Sequence, residues 1–77
     1  MRRNRFTGYL AATSSGEIGV FRSLSAAKRA CRHVAGAMSR VEWAESRFGV
    51  YTATFVNVTL IVTRVDLSEV DKDRIFV

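Results

Sequence analysis

The residue types best suited to covalent or metal chemistry are scarce in this chain, which has one cysteine, Cys31, and one histidine, His33. A Cys–His nucleophile pair needs the two side chains within hydrogen-bonding distance of each other. These residues are two apart on a predicted helix, where side chains at that spacing do not face each other. They are also too few to hold a zinc ion, which takes three or four protein ligands. We therefore expect no cofactor, no metal site and no enzymatic activity, with Cys31 as a small core residue.

Positive side chains recur at helical spacing along the same predicted helix. Lys28 and Arg32 are four residues apart, as are Arg29 and His33, and Arg40 can extend the positive stripe. A basic arm at the amino terminus adds a second cluster, and the two together are typical of phosphate binding. An ordinary solvated helix face has the same composition and stays an open alternative. The candidate nucleic-acid contacts are Arg2, Arg3, Arg5, Lys28, Arg29, Arg32, His33 and Arg40.

Aromatic side chains beside basic ones can stack on nucleic-acid bases. Tyr9, Trp43, Phe48 and Tyr51 lie on predicted strands or turns, where such a role is possible. Aromatic residues on strands this short also fill the core, because their large apolar area is buried there. The sequence leaves both roles open.

The formal net charge of +5 is unevenly distributed. Residues 1–65 carry ten Lys or Arg against three Asp or Glu, whereas residues 66–77 carry two against four. A basic body with an acidic end favours an acidic partner, either nucleic acid or an acidic protein. Solubility alone is the alternative explanation for such a charge.

The spacing of apolar residues predicts one helix between two sets of strands. The helix begins after the N-cap Ser23 and ends near Gly36 or Met38. The predicted strands are 5–13, 17–22, 41–46, 50–55 and 58–65, with turns at Ser14–Gly16, at Arg47–Gly49 and near Asn57. The strands are joined by hairpins. We therefore expect an α+β fold with a mainly antiparallel four- to five-stranded sheet and one helix on one face, in the order β-β-α-β-β(-β).

A chain of 77 residues has room for one domain. We assign residues 1–67 to it and residues 68–77 to an acidic, flexible tail, with docking of Ile75–Val77 as a short extension left open. The apolar run Leu10–Ala12 is too short for a signal peptide, and no stretch is long enough to span a membrane. A lone cysteine also suits a reducing compartment. We expect a cytoplasmic protein with no membrane partner.

One helix cannot cover both faces of a sheet this wide, so part of the sheet should meet something else. The candidate interface residues are Tyr9, Val56, Ile61 and Val65, and a homodimer is the expected arrangement. The alternative is that the Ile75–Val77 segment folds back over them.

The run GEIGVFRSLSAAKRACRHVAG, from Gly16 to Gly36, resembles the strand-to-helix junction of ethylene-response-type DNA-binding domains and of the arm-binding domains of phage integrases. The shared features are a strand ending in Gly-x-Phe, a small hydroxyl cap and an Ala-rich helix. In those families a three-stranded sheet precedes the helix and reads the major groove. Two strands precede it here, so no residue role is carried over.

The whole chain is similar in style to small accessory proteins encoded by phages of high-GC actinobacteria. The similarity lies in its short Arg-rich sequence, its hairpin–helix–hairpin layout, and a Trp43 strand followed by Tyr51-Thr52-Ala53. This resemblance implies a phage-encoded regulatory binding protein in the cytoplasm of the host cell.

The leading prediction is a non-enzymatic protein that binds nucleic acid through the basic helix face and the amino-terminal arm, with little base specificity. The alternative is a protein–protein interaction module that docks on a host protein through an apolar sheet face. A small-molecule pocket lined by Ala27, Ala30 and Cys31 is a third possibility.

Overall fold

A computed structural model describes residues 7–37, 41–70, 73 and 75–76, with only the backbone described at Arg47 and Phe76. Six strands in this part form one sheet, in the order β3-β4-β5-β1-β2-β6. All neighbouring strands are antiparallel except β2 and β6, which are parallel. The predicted α+β fold with a mainly antiparallel sheet is therefore confirmed. The elements are β1 (Thr7–Thr13), β2 (Gly16–Phe21), α1 (Leu24–Ala35), β3 (Ala44–Arg47), β4 (Val50–Phe55), β5 (Val58–Asp66), the 3-10 turn η1 (Leu67–Glu69) and β6 (Ile75–Phe76).

Strand β5 joins the two halves of the sheet, because it pairs with β4 on one side and with β1 on the other. Its residues alternate between a buried side and a more open side. Leu60 and Val62 are fully buried beneath the helix. The β1–β2 turn is tied to β5 by the Ser14 N–H, which donates to the Thr59 carbonyl at 2.9 Å. The central pairing of β1 with β5 thus fixes which side chains face α1.

Helix α1 begins and ends at residues with the appropriate capping chemistry. The Ser23 hydroxyl oxygen accepts a hydrogen bond from the Ala26 N–H at 3.2 Å. Gly36 takes the left-handed conformation, with φ of 75°. At this end the N–H of Gly36 donates to the His33 carbonyl at 3.1 Å, and the N–H of Ala37 donates to the Arg32 carbonyl at 2.9 Å. This pattern satisfies carbonyls that a helix end leaves unpaired, so the helix stops at Gly36 rather than at Met38.

The core lies between α1 and the sheet and depends on small residues at the contact. Ala11 on β1 and Ala27 and Cys31 on α1 are all fully buried. Small side chains let the helix backbone approach the sheet closely. The Cys31 Sγ lies 3.7 and 3.8 Å from the carbonyl oxygens of Ala12 and Ile61 and can donate its one proton to either. Its complete burial in the core cluster confirms Cys31 as a core residue.

Strand β3 is shorter than the sequence predicted. The predicted strand 41–46 is wrong for residues 41–43, since β3 covers only Ala44–Arg47. Val41 is buried in the core cluster and Trp43 packs against it, so both side chains contribute to the core although their backbone is not part of the sheet. The turn that follows is Phe48–Gly49, where Gly49 has φ of 81°.

The carboxy-terminal residues contact the first hairpin. Ile75 and Phe76 pair with Val20 and Phe21, which agrees with docking of this segment as a short extension. Leu67 in η1 is buried. The domain boundary after residue 67 and the flexibility of the tail stay predictions. Of the predicted first strand, residues 5 and 6 lie outside the described residues.

No helix in the described part of the chain is long and apolar enough to cross a membrane.

Candidate functional site

A groove of about 770 Å³ lies between α1 and the segment that leads into β3. Its volume falls within the range of about 300–1,000 Å³ that is typical of ligand pockets. The helix supplies three cations, and the segment 41–43 supplies an aromatic ring and a carboxylate. The lining residues are Ser25, Lys28, Arg29, Arg32, Val41, Glu42 and Trp43.

Lys28 is held by two aromatic rings. Its Nζ lies 5.5 Å from the centre of the Trp43 ring and 4.9 Å from the centre of the Tyr51 ring. Both distances allow cation–π attraction. The contact with Trp43 joins the segment 41–43 to the helix. It also fixes a positive charge, half-buried, in the wall of the groove.

Arg32 carries a buried donor without an acceptor. Its Nε has no exposure and no hydrogen-bond partner in the structure as described. An arginine stays charged at all ordinary pH values, so its guanidinium cannot avoid the cost of burial by losing a proton. A buried donor left unsatisfied costs about 1–3 kcal/mol.

The charge of the groove is positive. Lys28, Arg29 and Arg32 face one carboxylate, Glu42, which is exposed. Within residues 7–37 and 41–70, no ion pair joins any of these three cations to a carboxylate. Their charges are therefore available to an anion from outside. Arg29 is exposed at the rim, whereas Lys28 and Arg32 are half-buried.

The structure brings together three of the eight predicted nucleic-acid contacts, namely Lys28, Arg29 and Arg32. His33 is exposed on the helix but does not line the groove. The remaining four lie outside the described residues: Arg2, Arg3, Arg5 and Arg40. Sequence reasoning left the role of Trp43 open, and its place in the site became visible only with the packing of its segment on α1.

The four predicted interface residues do not share one surface. Tyr9 packs against the core on the helix side of the sheet. Val56 lies in the β4–β5 turn and is 76% exposed. Ile61 and Val65 do lie together, on the sheet face away from the helix, as their register with β1 shows.

The sheet face away from α1 is partly apolar, and we call it the open face. Strand register places the side chains of β1, β4 and β5 on it in alternation. Its apolar members are half-buried. They are Leu10, Ala12, Val50, Ile61 and Val65.

Among the described residues, no three His, Cys, Asp or Glu side chains come together as a metal site. Comparisons with protein-family models, with curated proteins and with solved structures found no match to this chain.

Proposed function

We propose that this protein is a small regulatory binding protein that contacts nucleic acid through the groove beside α1. The observation that carries the proposal is the presence, in a single recess, of one aromatic ring and three cations that have no carboxylate partner among the described residues. Basic residues around an aromatic surface are the combination that nucleic-acid backbones and bases bind. The resemblance to phage accessory proteins and the cytoplasmic location stay predictions from the sequence.

Binding would begin at the exposed rim. Arg29 can meet a phosphate without any rearrangement, and Lys28 and Arg32 lie further in. Each phosphate that is neutralised releases a condensed counterion, so affinity falls as salt rises. Three such contacts correspond to a slope of about −2 to −3 in log K against log salt. Contacts of this kind carry little base specificity.

The test is fluorescence anisotropy with labelled DNA and RNA at low and near-physiological salt. We expect binding by the native protein that weakens with salt, and a clear loss in the triple variant Lys28→Ala, Arg29→Ala, Arg32→Ala. Arg22→Ala is the matched control, because Arg22 is exposed and lies outside the groove. Absence of binding at low salt, or an equal loss in the control, would contradict the proposal.

The open face supports a second candidate, a protein–protein interaction module. The half-buried apolar residues Leu10, Ile61 and Val65 lie side by side there. Ile61→Lys would abolish such an interaction and leave the binding of oligonucleotides that fill one groove unchanged, whereas the groove variants would have the opposite effect. The two sets of variants therefore distinguish the two functions.

A further inference from the structure

We infer that the groove takes a single strand of nucleic acid in preference to a duplex, with a phosphate accepting hydrogen bonds from the Arg32 guanidinium. This inference rests on the proposed function and specifies its ligand. Two features of the groove support it: its recessed shape and the presence of Trp43 in its wall.

The shape of the groove opposes a duplex. A helix that reads duplex DNA enters the major groove with an exposed, convex side. Here Lys28 and Arg32 are half-buried in a recess whose other wall is residues 41–43, and only Arg29 is exposed. The phosphates of a rigid duplex can contact only the rim of the groove. A flexible single strand can bend into the recess and reach all three cations.

Trp43 adds a reason for the same preference. It lines the groove and is partly exposed there. An unpaired base can turn its face towards an aromatic side chain, and this stacking tolerates any base. In a duplex the bases are already stacked on each other and cannot make this contact. The aromatic wall therefore contributes affinity only for a single strand.

Arg32 provides the most specific element. Its Nε is buried, but the half-buried side chain lines the groove. A phosphate can accept from the two terminal nitrogens of the guanidinium, in a paired geometry that arginine favours. A lysine at this position would keep the charge but would lose the fork of donors. Arg32→Lys therefore separates these hydrogen bonds from charge alone.

The experiment compares a labelled single strand of oligothymidylate with the duplex that it forms with oligoadenylate. The strand has about 12 nucleotides, a length within the site sizes of single-strand binders. Binding is followed by anisotropy and by the fluorescence of Trp43, the only tryptophan. We expect the single strand to bind at least about tenfold more tightly than the duplex, and Trp43 fluorescence to change on binding. We expect Arg32→Lys to weaken single-strand binding by about tenfold. Arg29→Lys, the control at the rim, should change it by less than about twofold, because an exposed point charge suffices there.

The outcomes separate the two proposals. Equal affinity for duplex and single strand would overturn the inference and leave the proposed function in place. An unchanged affinity in Arg32→Lys, with native circular dichroism, would overturn the role of its guanidinium. No binding of either oligonucleotide would overturn both proposals.

Discussion

At the scale of single residues, Val56 has an unusual backbone conformation. Its φ is 56°, in the left-handed region, and it is the first residue of the two-residue turn between β4 and β5. A β-branched side chain is strained there, and tight hairpins commonly place glycine at such a position. The sequence predicted a turn near Asn57, but no local pattern indicated that the strain would fall on Val56.

We expect Val56→Gly to raise the free energy of unfolding by up to about 1 kcal/mol, because relief of left-handed strain outweighs the entropy of glycine in the unfolded chain. Urea unfolding measures the change. Thr54→Gly is the control, since it introduces the same residue at an exposed site within β4 and should destabilise the protein. Equal destabilisation by both changes would show that Val56 is not strained.

Cys31 makes the stability of the protein depend on pH. Burial raises the pKa of its thiol, because the thiolate would lose its hydration. In the unfolded chain the thiol ionises at about pH 8.5. The pKa of the thiol is higher in the folded protein than in the unfolded chain. The stability that the buried thiol contributes is therefore fully present below about pH 8.5, and it is lost as pH rises from there through the folded pKa.

We therefore expect the free energy of unfolding to fall as pH rises above about 8.5. Urea titrations from about pH 7 to 10 would compare the native protein with Cys31→Ala, which lacks the thiol. The difference in stability between the two should shrink with rising pH. A constant difference across this range would mean that the buried thiol ionises as readily as an unfolded one.

At the scale of elements, the features that depend on local sequence were predicted better than those that depend on long-range contacts. Ser23 and Gly36 marked both helix ends because capping chemistry is local. The extents of β4 and β5 were also predicted closely. Residues 41–43 were wrongly placed in a strand because their spacing fits one, and only contact with Lys28 and the core takes them out of the sheet. The groove could not be predicted as a site for the same reason.

The docking of η1 on β1 depends on a glycine. A β-carbon on Gly8 would collide with the side chain of Leu67, which is buried. We expect Gly8→Ala to cost about 1–3 kcal/mol, as is usual for overpacking. In a Leu67→Ala background the same change should cost less, because only the Phe21 carbonyl oxygen, 3.2 Å from the added β-carbon, then remains in close contact. A double-mutant cycle from urea unfolding measures this, and equal costs in both backgrounds would show that the two residues do not compete for space.

At the scale of the whole molecule, the helix covers one face of the sheet and the open face lies on the other. The groove beside α1 is therefore on the opposite side from Ile61 and Val65. Contact between two copies through their open faces would leave both grooves accessible. Two grooves in one particle could engage one strand together, which raises the overall affinity without new contacts.

The homodimer predicted from the sequence can be tested on this basis. A domain of this size buries only about 60% of its extended surface, so a second copy on a half-buried apolar face would add stability. Light scattering should give a mass of about 17 kDa, twice the 8.6 kDa of one chain. Ile61→Lys places a charge in the centre of the open face and should return the mass to that of one chain. Ser15→Lys is the control, because it adds the same charge in an exposed turn.

The affinity of the Ile61→Lys variant for oligonucleotides completes this test. If two grooves act together, the monomeric variant should bind long single strands more weakly and strands that fill one groove equally well. A native protein that scatters as one chain would contradict the dimer, and Leu10, Ile61 and Val65 would then face solvent or a different protein. Since the groove is built from α1 and residues 41–43 of a single chain, that result would leave the binding site itself intact.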